Sequence, residues 1–122
     1  MNNPLYDTLF GCHQGKATPF LELVDGTVIS HTAYLELAAQ YANVFTKRGL
    51  QPEDRVAVQI GKSPEALAVY AACVQAGLVF LPLNTAYTAS EVSYFVENSG
   101  ARLLLCDATK AEALAPVATA TG

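Results

Sequence analysis

The chain has 122 residues, enough for one domain that buries roughly two-thirds of the surface its unfolded form exposes. Hydrophobic residues make up 52% of it and charged residues 15%, which excludes a disordered segment and marks surface meant to be covered by something else. A net charge of -4 with only seven scattered Lys and Arg supplies no field for nucleic acid, so no nucleic-acid partner is expected.

The opening stretch "MNNPLYDTLF" lacks a basic segment followed by an apolar one, and no apolar run approaches the ~20 residues that span a bilayer. No membrane partner is expected, and a cytoplasmic protein follows by default. Cys12, Cys73 and Cys106 are odd in number and more than 30 residues apart, so they read as reduced thiols, not as a disulfide framework or a zinc site.

Next, "TPFLELVDGTVIS" predicts two short strands joined by Asp25-Gly26 in a type I′ hairpin turn. Ser30 is placed to cap a helix reaching about Arg48 and ended by Gly49. On it Glu36, Gln40, Asn43 and Lys47 form a polar stripe opposite Tyr34, Leu37, Ala38, Tyr41, Ala42 and Phe45. From Asp54 the pattern becomes strand "RVAVQI", helix "SPEALAVYAACVQAG", strand "LVFLPL", helix "TASEVSYFVENSG" and strand "RLLLC".

The predicted fold class is therefore α/β, a small amino-terminal β-hairpin and helix followed by a parallel β-α-β-α-β unit. Connections as long as these helices are what parallel neighbours need. Ser63 with Pro64 starts the first crossover helix and Gly77 ends it; Thr88 and Glu91 form a capping box for the second, which ends at Gly100. The first is almost wholly apolar and is expected to be covered on more than one side. "ATKAEALAPVATATG" begins a third helix that Pro116 is expected to break.

Candidate chemistry is sparse. "IGKSPEA" copies the end of a phosphate-binding loop, but the glycine required five residues before Gly61 is replaced by Val56, so the cradle of amides is missing. No Gly-x-Gly-x-x-Gly occurs, His13 and His31 have no partner at metal-ligand spacing, and no Ser, His and Asp set stands in a nucleophile motif. Glu53 and Asp54 lie at the amino end of a strand, where a turn explains them. What remains is the carboxyl edge of the sheet, where ligands bind in parallel α/β folds: Gly61 to Ser63, Asn84 to Thr88 and Asp107 to Lys110. Asn84, Thr88, Thr109 and Lys110 are the polar groups there, serving either ligand contact or the loops themselves.

The run "VISHTAYLELAAQYANVFTKRGLQPEDRVAVQIGKSPEALAVYAACVQAGLVFLPLNTAYTASEVSYFVENSGARLLLCD" resembles the amino-terminal portion of adenylate-forming enzymes, the acyl-CoA synthetase members of the AMP-dependent synthetase/ligase superfamily. "RGLQPEDRVAV", "KSPEAL", "QAGLVFLPLN" and "SEVSYFVENSGARLLL" carry the resemblance, and "LPLNTAYT" looks most like the malonyl-CoA synthetase branch. In that branch many relatives have a proline soon after the asparagine.

The resemblance implies ATP- and Mg²⁺-dependent activation of a carboxylic acid, malonate or methylmalonate, to an acyl-adenylate, followed by transfer to coenzyme A, a step of fatty acid metabolism. It also implies that the phosphate loop, the ribose-binding acid, the hinge and the carboxy-terminal lysine have no counterpart in residues 1–122. Those residues are then an incomplete amino-terminal domain with no catalytic residue or metal ligand of its own, inactive alone, binding none of these cofactors by itself. Lys110 is implied as a neighbour of a coenzyme A phosphate. The alternatives are a stand-alone α/β module for a small anion, or an interaction subdomain.

Overall fold

A computed structural model describes residues 3–121. The first element is a six-residue helix, α1 (Pro4–Leu9), which the hydrophobic pattern does not announce. Its local chemistry explains it: Pro4 occupies the first turn, and the Asn3 side chain accepts from Tyr6 N at 3.1 Å. The same Asn3 donates from Nδ2 to Val74 O at 2.7 Å, which ties the amino-terminal segment to the main body.

The hairpin forms from β1 (Pro19–Glu22) and β2 (Val28–Ser30), paired antiparallel. Its turn is not type I′, because that turn needs positive φ at both central residues and only Gly26, at 90°, has it. The chain instead uses a longer loop, closed by Gly26 N to Leu23 O at 2.9 Å and Leu23 N to Thr27 O at 2.8 Å. Asp25 serves it with its side chain, accepting from Thr27 N at 2.9 Å.

Helix α2 (His31–Lys47) starts where Ser30 Oγ accepts from Ala33 N at 3.1 Å. Its predicted polar stripe is exposed throughout. The apolar face is rotated slightly from expectation: Leu35 is buried, whereas Leu37 and Tyr41 are only half-buried. The cause is that α2 lies on another helix as well as on the sheet.

The parallel sheet has the order β4-β3-β5, with β3 (Arg55–Gln59) central between β4 (Val79–Pro82) and β5 (Leu103–Cys106). Alternation along the strands divides the core. Val56, Val58, Phe80, Leu103 and Leu105 face α2 and α3 (Pro64–Ala76), while Ala57, Leu81, Leu104 and Cys106 face α4 (Ala89–Ser99) and α5 (Ala111–Thr121). Helix α3 is covered on two sides, as its composition requires. Val69, Ala72 and Cys73 meet the sheet, and Ala68 and Ala71 meet Tyr34, Leu35 and Ala38 of α2. Tyr34 donates its hydroxyl to Leu67 O at 2.7 Å across that contact, and burial pushes its pKa up to about 12.

The predicted caps are present. Ser63 accepts from Ala66 N at 3.2 Å, Gly77 ends α3 at φ 74°, and the Thr88–Glu91 capping box is complete. Pro116 does not break α5, contrary to expectation, because it is exposed and costs one backbone bond while Leu114 and Val117 anchor the helix in the core.

Candidate functional site

At the carboxyl edge of the sheet the three strands release the chain into three loops that meet. Gly61 N, after β3, donates to Asp107 Oδ2, after β5, at 3.1 Å. Lys110 Nζ donates to Thr85 O, joining the turn after β5 to the loop after β4. Residues as distant as Gly61, Thr85 and Lys110 are brought to one edge by the parallel topology alone, since every strand ends on the same side.

The loop after β4 is highly ordered by its own chemistry. Asn84 Oδ1 accepts from Ala86 N at 2.9 Å, Asn84 O accepts from Tyr87 N at 3.0 Å, and the Tyr87 ring stacks on Phe95 with centroids 5.1 Å apart. Thr88 Oγ1 accepts from Glu91 N at 3.3 Å while Glu91 Oε1 accepts from Thr88 N at 3.1 Å. Thr88 is therefore spent on helix capping. Asn84 is exposed, and while its Oδ1 accepts from Ala86 N its Nδ2 has no hydrogen-bond partner among the described residues, so the residue has a donor to offer.

Beneath the loop lies a residue that the sequence pattern does not single out. Gln59 closes β3 and is 0% exposed. Its Nε2 donates to Asn84 O at 2.9 Å and to Tyr87 O at 3.1 Å, while its Oε1 is buried without a hydrogen-bond partner. A glutamine at the end of an apolar strand, continuing the alternation that buries Ala57, is the signal that finds it.

The electrostatics of the edge are mild. Burial, reinforced by the Asp107 carboxylate, pushes the Cys106 thiol up, and the Lys110 ammonium opposes the shift. Cys106 is thus held as a neutral thiol. Among the described residues no group of three or more His, Cys, Asp or Glu is placed to hold a metal ion. Beside the edge an apolar groove of about 740 Å³ runs between the hairpin and α3, lined by Leu21, Ile60, Leu67, Tyr70 and Phe80 with Lys62 and Ser63. At the base of the hairpin His13 and His31 stack on each other, and the Phe20 ring lies 4.9 Å from that of His31.

Of the sequence-predicted groups, Asn84, Thr88 and Lys110 share one edge, with Thr88 turned to structural use. The set offers donors and one tethered cation. It contains neither a general base within reach of a nucleophile nor a loop of amides that cradles phosphate.

Residues 12–121 match the family model described as AMP-binding enzyme. Feruloyl-CoA synthase from Amycolatopsis is 34% identical over 93 residues, which are 76% of this chain and 19% of that protein. Gramicidin S synthase 2 from Brevibacillus brevis is 36% identical over 70 residues, 57% of this chain and 2% of that protein. Among solved structures, apo and ATP-bound MatB from Rhodopseudomonas palustris superimpose with a TM-score of 0.92 at 41% identity, covering 100% of this chain and 24% of theirs. The chain therefore spans at most about a quarter of the length of these relatives.

Proposed function

Because the chain belongs to the AMP-binding enzyme family, we propose that it forms the first part of the large amino-terminal domain of an adenylate-forming acyl-CoA synthetase. The complete protein would activate a carboxylic acid with ATP and Mg²⁺ to an acyl-adenylate and pass the acyl group to coenzyme A. The observation that carries this is the superposition on MatB, in apo and ATP-bound forms, across 100% of the chain at 41% identity.

The acid we assign is malonate or methylmalonate. The support is "LPLNTAYT", residues 81–88, whose likeness to the malonyl-CoA synthetase branch falls on the loop of the carboxyl edge that Gln59 and Asn84 tie together by hydrogen bonds. A cytoplasmic location goes with this assignment; no helix among the described residues is long and apolar enough to cross a membrane.

Residues 3–121 do not by themselves fit a triphosphate and its metal. The amide of Gly61 is taken by the Asp107 carboxylate, the turn at Gly61–Ser63 is not a phosphate cradle, and the acidic groups are dispersed. Electrostatic stabilisation of a charged α-phosphate, usually the largest contribution to such catalysis, has no source here. The role left to this segment is architectural: it supplies one sheet edge and holds Asn84 and Lys110 on it. Lys110 is assigned as a neighbour of a coenzyme A phosphate, because the tether to Thr85 uses one of its three ammonium donors and leaves two.

Pyrophosphate exchange into ATP tests the proposal. The protein that carries this segment should exchange in response to malonate or methylmalonate, and the 122-residue chain alone should not exchange with any acid. Exchange driven only by unrelated acids overturns the acid assignment, and exchange by the isolated chain overturns the architectural role.

A further inference from the structure

We propose that Gln59 is the positioning residue of the carboxyl edge, fixing the loop from Asn84 to Thr88 so that Asn84 presents its Nδ2 as a hydrogen-bond donor to an acceptor oxygen of the bound ligand. Both Nε2 hydrogens of Gln59 are committed, one to Asn84 O at 2.9 Å and one to Tyr87 O at 3.1 Å. The amide orientation is fixed by those partners, because turning it over would set Oε1 against two carbonyl oxygens.

The unpartnered Oε1 separates positioning from mere filling. A buried acceptor without a donor is unfavourable, so an apolar side chain of equal length would serve a purely space-filling role better. What that side chain would lose is the pair of bonds to the loop, and with them the placement of Asn84. Asn84 is held from both sides, its carbonyl by Gln59 and its Oδ1 by Ala86 N at 2.9 Å, which leaves Nδ2 of this exposed residue as its uncommitted donor.

The arrangement stands on the geometry of this chain. Only its consequence for ligand binding rests on the acyl-CoA synthetase reading, so a test that reads the loop itself can fail independently of that reading. Amide exchange followed by NMR on the 122-residue chain provides it. The Gln59 side-chain amide should exchange at least ~100-fold more slowly than that of exposed Gln40. Gln59→Met should keep the protection of Val56 to Val58 while Ala86 and Tyr87 amides exchange on the order of 10-fold faster, as expected for losing two hydrogen bonds.

Gln59→Glu adds a pH signature. At about pH 5 its neutral carboxyl donates to one carbonyl and the loop stays protected; at about pH 8 the carboxylate faces two carbonyls and the loop opens before the core does. Unchanged Ala86 and Tyr87 exchange in a folded Gln59→Met overturns the proposal. If Gln59→Met does not fold, rapid exchange of the wild-type Gln59 amide, or a Gln59→Glu loop indifferent to pH, overturns it equally.

Discussion

His13 and His31 lie on separate elements yet stack with ring centroids 4.6 Å apart and planes inclined by 23°. His13 Nδ1 sits 3.1 Å from the Lys16 ammonium, and His31 Nδ1 sits 3.1 Å from Thr18 O. A second positive charge on this pair is unwelcome. Loss of hydration, then the charges of Lys16 and His31, hold His13 below its ordinary value of 6.5.

The unfolded chain therefore takes up the His13 proton first as pH falls, so folding stability should drop as pH is lowered through and below 6.5 and be regained above it. Urea midpoints at about pH 8 and about pH 5 check this. His13→Phe should keep the stack and flatten the slope; an unchanged slope refutes the assignment.

Val92 is 0% exposed and meets Ala57, Val96 and Leu114 where α4 and α5 share the sheet. Val92→Ala removes two methyl groups from a packed cluster and should cost about 2 kcal/mol. Val24, 109% exposed at the hairpin tip, is the control: Val24→Ala should change stability by less than about 0.5 kcal/mol. Chemical denaturation of both variants against the parent separates these values.

Helix ends were readable because capping is local chemistry: Ser30, Ser63 and Thr88 need only backbone amides within the next three residues. Strand order was not, since "RVAVQI", "LVFLPL" and "RLLLC" all read as apolar runs and only pairing decides that β3 lies between the others. Pro82, which has no amide to donate, was the one hint that β4 is an edge strand. The approach of Lys110 to Thr85 and of Gly61 to Asp107 depends on that order and has no local signature. The role of Gln59 has no local signature for the same reason: its partners, Asn84 and Tyr87, belong to the neighbouring strand's loop.

The three thiols should differ in reactivity. Cys73 is 0% exposed, and burial pushes its pKa up to about 12, so almost no thiolate forms near neutrality. Cys12 is exposed, and Cys106 is half-buried with its pKa raised by burial. Alkylation at pH 8, read by mass spectrometry, should modify Cys12 first and Cys106 more slowly, with Cys73 modified only when the chain unfolds. Early modification of Cys73 in the folded protein contradicts the packing of α3 against the sheet.

Pro116 lies inside α5, five residues after Ala111 opens the helix, where its missing amide leaves the carbonyl of Glu112 without a helical donor. Glu112 and Pro116 are both exposed, so water can satisfy that carbonyl, and buried Leu114 and Val117 keep the helix on the sheet. The proline still works against the helix it occupies. Pro116→Ala restores the backbone bond and should stabilise the fold by about 1–2 kcal/mol. The gain is smaller than the ~3 kcal/mol difference in helix propensity because alanine also frees the unfolded chain. Thermal unfolding of the variant should shift upward, and Pro116→Gly should recover little of the gain; a lower midpoint for Pro116→Ala would mean that proline holds α5 in a bend the sheet requires.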